Sequence, residues 1–350
     1  MNHKAFAFLL FWVFSVALVN FGCRSSEDGT LENGTLENGI TQVDSPPKNG
    51  SSTTPSVADR PLANGAIKNS DSNSTAELGA TETAHALPTN ESAVHGTATT
   101  AAYKIFSWNV ESNGAEAKTI CQQLKQLNMA DKYDIVALTE VLPADLSKFR
   151  SALGTHYKYI YSKSGNNDKM QLLYNENKFE KVRQIDLNEI NISQRYRAPM
   201  ALHLKDRTSD VEFMVMVNHL ARGKAKIRQQ QATMLVEWAR DQTLPIFAVG
   251  DYNFDFVFET EKGNPAFVNF LKDNIWRWVK PTEFIDTNWY DNPEEPDGKD
   301  DYPGSMLDFA FVAGPAKEWD STCNVIVREG DFPDNEKTSD HRPFELLISK

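Results

Sequence analysis

Ile246-Phe247-Ala248-Val249-Gly250-Asp251-Tyr252-Asn253 carries the clearest architectural signal in the chain. Its apolar run, preceded by Pro245 and ended by Gly250, reads as a buried strand that delivers an acid and an amide, two residues apart, at its carboxyl end. Open α/β sheets bind their ligands at that end. Residues i and i+2 point to the same side while the chain stays extended, which would turn Asp251 and Asn253 into one cleft beyond the strand. An anionic oxygen beside a neutral amide suits a cation bound to a phosphate. The competing reading is a strand followed by an Asx turn, since Gly, Asp and Asn are ordinary turn residues.

Working outward, the same kind of ending recurs. Residues 103–108 read as a first strand that ends in Asn109-Val110-Glu111. Helical spacing through Ile120, Leu124 and Leu127 predicts a helix over 115–127, and 134–140 is a second buried strand, finishing on Glu140. A short helix over 143–153 and strands at 157–161, 170–174, 179–186, 199–205 and 212–218 lead to His219. A polar-faced helix over 224–241 is expected to turn Ile227, Met234, Leu235 and Trp238 to the core. Beyond Asn253 come a helix over 265–271, an acidic segment at 291–301, a strand over 306–312 containing Asp308, a strand near 324–327 and a last strand to Ile348. The acidic segment lacks EF-hand spacing and reads as a solvated loop. Of Trp276 and Trp278, one is expected in the core and one partly covered.

Asn109, Glu140, His219, Asp251, Asn253 and the pair Asp340-His341 thus each sit at or beside a strand end, where a sheet gathers them at one edge; Asp308 lies inside an apolar strand. One such residue is ordinarily a cap. The full set is hard to explain as independent caps.

These motifs resemble the endonuclease/exonuclease/phosphatase superfamily, whose fold is the deoxyribonuclease-I-like one. The resemblance rests on Ser107-Trp108-Asn109-Val110, Thr139-Glu140, Val217-Asn218-His219-Leu220, Gly250-Asp251-Tyr252-Asn253, Leu307-Asp308-Phe309 and Ser339-Asp340-His341, in the family's order. It implies a four-layer α/β sandwich with two packed mixed β-sheets and a metal-dependent hydrolase of phosphate esters. By the family pattern Glu140 is the principal Mg²⁺ ligand, with Asn109 and Asp340 near the metal; Mn²⁺ or Ca²⁺ are alternatives. Asp251 and Asn253 position the attacking water or the phosphate. His341, oriented by Asp308, serves as general base or transition-state stabiliser, and His219 protonates the leaving group or binds phosphate. Arg195 to Pro199 resembles the family's basic strand opening, which assigns Arg197 to phosphate contact. Glu111 stands where many DNA-repair members have Asp.

Residue chemistry agrees with that assignment. Mg²⁺ is held by one or two carboxylates with waters and substrate oxygens completing its shell. A histidine paired to a carboxylate gains basicity and a fixed tautomer.

The chain of 350 residues has a formal net charge of −12. Residues 101–350 hold 31 Lys and Arg against 38 Asp and Glu, without the basic excess of a protein that grips a nucleic-acid backbone tightly. That weighs against a tight DNA binder and is compatible with an enzyme that releases its product quickly. His3 and Lys4 precede an apolar run over 5–19 broken only by Ser15, so 1–23 reads as an export signal peptide. Gly22-Cys23 suggests a lipoprotein, although Asn20 and Phe21 depart from the usual small and aliphatic residues; lipidation of Cys23 stands beside simple secretion or an uncleaved anchor. The protein is then exported: extracellular, periplasmic or membrane-tethered. Residues 24–100, rich in Ser, Thr, Asn, Gly and Ala and without an aromatic, read as a disordered low-complexity tether, and 101–350 as the catalytic domain. Cys121 and Cys323 are expected to be buried free thiols, a single disulfide being the alternative.

The expectation is an exported monomeric phosphodiesterase of nuclease type acting on DNA or RNA. The alternative in the same chemistry is a phosphatase or phospholipase C-like enzyme on a small or lipid phosphoester. The alternative of another class is an inactive, surface-tethered binding module.

Overall fold

A computed structural model of the chain describes residues 102–165, 167–335 and 337–350. The expected export signal, the lipidation site at Cys23 and the tether lie outside the described residues. In chain order the elements are β1 (Ala102–Asn109), α1 (Ala117–Leu127), β2 (Ile135–Val141), α2 (Leu146–Leu153), β3 (Tyr157–Tyr161), β4 (Lys169–Asn175), β5 (Phe179–Asp186), β6 (Met200–Asp206), β7 (Glu212–His219) and α3 (Ala225–Arg240). The chain continues with β8 (Ile246–Val257), α4 (Pro265–Leu271), β9 (Trp276–Trp278), β10 (Ser305–Ala313), β11 (Asp320–Val325) and β12 (Phe344–Ser349).

The strands form two six-stranded sheets, ordered β11-β12-β1-β2-β4-β3 and β5-β6-β7-β8-β10-β9. Both are mixed, for β1 and β2 run parallel in the first and β7 and β8 in the second, while the remaining pairs are antiparallel. Alternation along each strand sorts the side chains into layers. Tyr103 and Ile105 of β1 face the second sheet, and Phe106 and Trp108 face α1 and α2. In β8, Phe247 and Val249 enter the core between the sheets, while Ile246, Ala248, Tyr252, Phe254 and Phe256 lie under α3 and α4. Four layers follow: helices, sheet, sheet, helices.

Aromatic packing joins the sheets. Tyr103 of β1 stacks on Phe213 of β7 at 4.5 Å between ring centroids, and Phe213 meets Phe247 edge-on at 5.6 Å. Fully burying a side chain of this size contributes about 1.5–3 kcal/mol. The helix α4 is started by Pro265 and by Asn264, whose side-chain oxygen accepts from the amides of Ala266 and Phe267. The same side chain donates to the carbonyl of Asn253 at 2.9 Å, tying the helix cap to β8.

The opening stretch does not stop in a turn. β8 runs on for seven residues past Gly250. Two details of the sequence reading change: β9 was not foreseen, and β11 begins at Asp320 rather than near 324. A three-residue strand has no measurable alternation, and β11 is an edge strand of mostly polar residues with one buried side chain, Cys323. Trp276 is buried and Trp278 partly so, as expected. Both cysteines are free, Cys323 buried and Cys121 half-buried.

Candidate active site

Strand parity builds the site. Asn109 continues the inward row of Tyr103 and Ile105 in β1, and His219 that of Phe213, Val215 and Val217 in β7. Asp251 follows Phe247 and Val249 in β8, and Asp308 precedes Ala310 and Val312 in β10. Each polar residue sits where its strand passes the edge of the apolar core, so all four converge. Pairing aligns them further: Asp251 is opposite His219 in the parallel β7–β8 ladder and opposite Asp308 in the antiparallel β8–β10 ladder.

Glu140 breaks the parity. In β2 the inward residues are Ile135 and Ala137, and simple alternation would turn Glu140 to the helical side. A register shift between Leu138 and Val141, with Glu140 in the left-handed region at φ 57°, redirects its side chain. Gly250 makes a second adjustment. At φ 132° it lies so close to β7 that a Cβ there would be 2.2 Å from the Asn218 carbonyl oxygen.

Hydrogen bonds then join the two sheets. Asn109 Nδ2 donates to Glu140 Oε1 and to Asp251 Oδ2, both at 3.2 Å. His219 Nε2 lies 3.5 Å from each of those same oxygens. The Asp251 Oδ1 accepts from the Asn253 amide at 2.9 Å, and Asn253 Nδ2 donates to the Leu220 carbonyl at 3.2 Å. His341 Nδ1 is 2.7 Å from Asp308 Oδ2, and its Nε2 is 4.0 Å from Asp251 Oδ2 and 3.9 Å from Asp340 Oδ1. The backbone of His341 is clamped as well: Trp108 Nε1 donates to its carbonyl at 2.8 Å and its amide donates to Ser339 Oγ at 3.0 Å. Arg197 pairs with Asp168 and lies near enough to influence Glu140 and His219.

The charges explain one another. Burial raises the Glu140 carboxyl, with His341, Asn109 and Arg197 opposing. Burial and the neighbouring Asp308 push Asp251 up to about 7, against the pull of His341. Glu111 also rises to about 7, through burial and then Asp340, whose amide donates to it at 3.0 Å. His219 is held well below its usual value by burial, then by Arg197 and His341, so it is neutral. Burial opposes a charge on His341 too, but Asp308, Asp340 and Asp251 outweigh it and hold the ring protonated well above the usual range.

Five carboxylates (Glu111, Glu140, Asp251, Asp308 and Asp340) therefore crowd around one imidazolium, a surplus of negative charge that a divalent cation corrects. The donor set fits one. Ligand atoms of Glu140, Asp168 and His219 lie within 4.8 Å of one another, and Asp340 Oδ1 is buried without a hydrogen-bond partner among the described residues. Two carboxylate oxygens with an imidazole nitrogen suit a hard or borderline ion.

Every candidate residue from the sequence is thus in or beside this group. Sequence reasoning missed Asp168, which lies on the β3–β4 loop without a motif to mark it. It also missed the support from α3. There the buried stripe is Arg228, Gln231, Ala232, Leu235, Val236 and Ala239, whereas Met234 and Trp238 are only partly buried. Gln231 Oε1 accepts from the Ala221 amide at 2.9 Å and Arg228 donates to the Ala221 carbonyl at 2.9 Å, so both brace the loop that leaves His219. A hydrophobic period cannot reveal polar side chains buried for backbone satisfaction.

A family model described as the Endonuclease/Exonuclease/phosphatase family matches residues 106–341. Among solved structures, an endonuclease/exonuclease/phosphatase family protein from Bacteroides thetaiotaomicron is similar at 18% identity and TM-score 0.56, over 72% of this chain and 96% of that one. A mannosyl-6-phosphatase of the same species matches at 18% identity and TM-score 0.54, over 70% and 99%. The D. rerio TDP2 complexed with single strand DNA product matches at 15% identity and TM-score 0.57, over 71% and 99%. Likeness at these identities bears on the fold alone. No curated protein matches the chain.

Proposed function

The chain belongs to the endonuclease/exonuclease/phosphatase family, and from that premise we propose that it is a metal-assisted phosphodiesterase that cleaves its substrate by in-line attack of water. The observation that carries this reading is the convergence of Asn109, Glu140, His219, Asp251 and His341 from both sheets on one buried, electron-rich edge.

Glu140, with Asp168, His219 or Asp340, whose Oδ1 accepts no hydrogen bond among the described residues, would hold the metal, Mg²⁺ being the first choice for such oxygens and Mn²⁺ or Ca²⁺ the alternatives. When bound, the ion supplies polarisation of the phosphoryl group and stabilisation of the leaving oxygen. Asn109 keeps the Glu140 and Asp251 carboxylates apart at fixed positions through its two donated bonds. Asp251, titrating at about 7, orients the attacking water and takes its proton near neutral pH. His341, protonated and held by Asp308, donates from Nε2 to the phosphoryl oxygens as charge builds on them. Neutral His219 hydrogen-bonds the phosphate from the other side of Asp251. Asn253, whose Oδ1 has no partner among the described residues, positions the water with Asp251. Arg197 contacts the phosphate or its approach while bound to Asp168.

Two substrate classes divide the reading. Proteins that share the fold include one bound to single strand DNA product and a mannosyl-6-phosphatase. Nucleic acid fits the phosphodiester chemistry. A small phosphoester is favoured by one specific observation: the cavities flanking the site are lined by Asp255, Asp301, Asp291 and Asp334, with Arg222 the one basic residue among the described residues that line them. Export through the N-terminal segment, with a membrane tether there, would place this activity outside the cytoplasm.

The test is Glu140→Ala. Loss of divalent-metal binding by calorimetry, with turnover falling roughly 10²–10⁴-fold, is expected. Full metal-dependent activity in that variant would remove Glu140 from the role given to it.

A further inference from the structure

The chain leaving His219 and the strand that follows Asp251 are tied together by a closed ring of hydrogen bonds. Asn253 Nδ2 donates to the Leu220 carbonyl at 3.2 Å, and Asn264 Nδ2 donates to the Asn253 carbonyl at 2.9 Å. Asn264 Nδ2 also donates to Asp255 Oδ2 at 2.7 Å, the same oxygen that accepts from Arg228 Nη2 at 3.1 Å. Arg228 Nη1 closes the ring by donating to the Ala221 carbonyl at 2.9 Å, and it donates to the Arg222 carbonyl as well.

The ring encloses strained backbone. Asn253 and Asp255 lie within β8, yet both are left-handed, at φ 51° and 45°. Such conformations persist only where the surroundings over-determine them. The strained stretch does work at the site: the Asn253 amide donates to Asp251 Oδ1 at 2.9 Å, and the Leu220 amide, next to His219, donates to the Asp251 carbonyl at 3.1 Å. The conformation of Asn253 therefore sets where the Asp251 carboxylate and the His219 ring stand. Asn264 cannot rotate away, because its oxygen caps α4. Arg228 is buried, and a buried guanidinium demands an anionic partner. Among the described residues Asp255 is the carboxylate paired with it. One half-exposed side chain thus gathers both donors, and its exposure lets it be replaced without opening the core.

We infer that Asp255 is a positioning residue for hydrolysis: by holding Arg228 and Asn264 on one carboxylate oxygen it fixes the left-handed turn at Asn253, and with it the Asp251 carboxylate and the His219 ring. The reaction that this ring of bonds serves rests on the phosphoesterase reading. The ring itself stands on its geometry.

Two variants of the full chain separate the bonds from the strain. Asp255→Gly relieves the left-handed backbone but removes both bonds. Asp255→Asn tolerates the same backbone and keeps an oxygen for both donors. With bis-p-nitrophenyl phosphate and Mg²⁺, Asp255→Gly is expected to lower kcat roughly 10- to 100-fold with KM nearly unchanged, and Asp255→Asn to recover most of that loss. Hydrogen exchange read by NMR supplies a measure that needs no turnover. In Asp255→Gly the amides of Leu220 and Asn253 should exchange roughly tenfold faster, while those of β10 keep the wild-type rate. Local acceleration in a protein that hydrolyses no phosphoester would remove the proposed activity and keep the ring. The inference is overturned if exchange at Leu220 and Asn253 is unchanged, if β10 accelerates equally, if Asp255→Gly turns over like the wild type or loses only in KM, or if Asp255→Asn is as impaired as Asp255→Gly.

Discussion

At the scale of single residues, the charge state of His341 is set by its neighbours rather than by its own chemistry. Buried as it is, the ring would shed its proton but for Asp308 at 2.7 Å and the two further carboxylates near Nε2. Asp308→Asn keeps the shape and removes the charge, and turnover is expected to fall roughly 10²–10⁴-fold with little change in KM, measured by steady-state kinetics. Glu111 offers a stability readout. Its carboxyl rises from 4.5 to about 7 in the folded protein, so the folded state binds this proton more tightly than the unfolded one. That contribution is complete below the unfolded value and is lost as pH climbs through about 7. In EDTA the melting temperature of the wild type should therefore drop from pH 5 to pH 8, and Glu111→Gln should drop less. Equal slopes would contradict this assignment.

At the scale of the elements, β8 is the strand on which the site depends, and Gly250 is its most constrained position. An added Cβ meets backbone of β7 rather than a side chain that can swing aside. Gly250→Ala is expected to cost about 3 kcal/mol through left-handed strain and forced separation of the two strands, read from urea unfolding. The same elements show why much of the molecule was legible in the amino-acid order. Apolar strands and amphipathic helices follow from alternation and helical spacing; Asn109, Glu140, His219 and Asp251 were visible because each ends or flanks an apolar run, and Asp308 because it interrupts one, and inward parity explains why all but Glu140 meet at the core edge. What the sequence did not reveal is the bulge that turns Glu140 into the site against the alternation of its strand. Asp168 and Arg222 reach the neighbourhood of the site from loops, where no period operates. Gln231 and Arg228 were hidden for a different reason: their burial serves loop carbonyls and amides, which a hydrophobic pattern reads as exposed polarity.

At the scale of the whole molecule, two sheets each close half of the site, and the bond from Asn109 of the first sheet to Asp251 of the second crosses between them. Crowded carboxylates at that seam repel one another, so a divalent cation that binds only the folded state should stabilise it. Adding Mg²⁺ at pH 8 is expected to raise the melting temperature, with a smaller rise in Glu140→Ala; scanning calorimetry checks this. The net charge of −12 and the acidic cavities set the remaining question, which ester reaches the seam. Hydrolysis by the full chain bears on the central claim most directly. It is measured with Mg²⁺, Mn²⁺, Ca²⁺ or EDTA against DNA, RNA, bis-p-nitrophenyl phosphate, sphingomyelin and sugar phosphates, beside His341→Ala. The account predicts cleavage of at least one ester that requires a divalent metal and falls roughly 10²–10⁴-fold in His341→Ala. Cleavage undiminished by EDTA or by His341→Ala, or silence toward every ester, would contradict it, and silence would leave a binding module on a hydrolase fold.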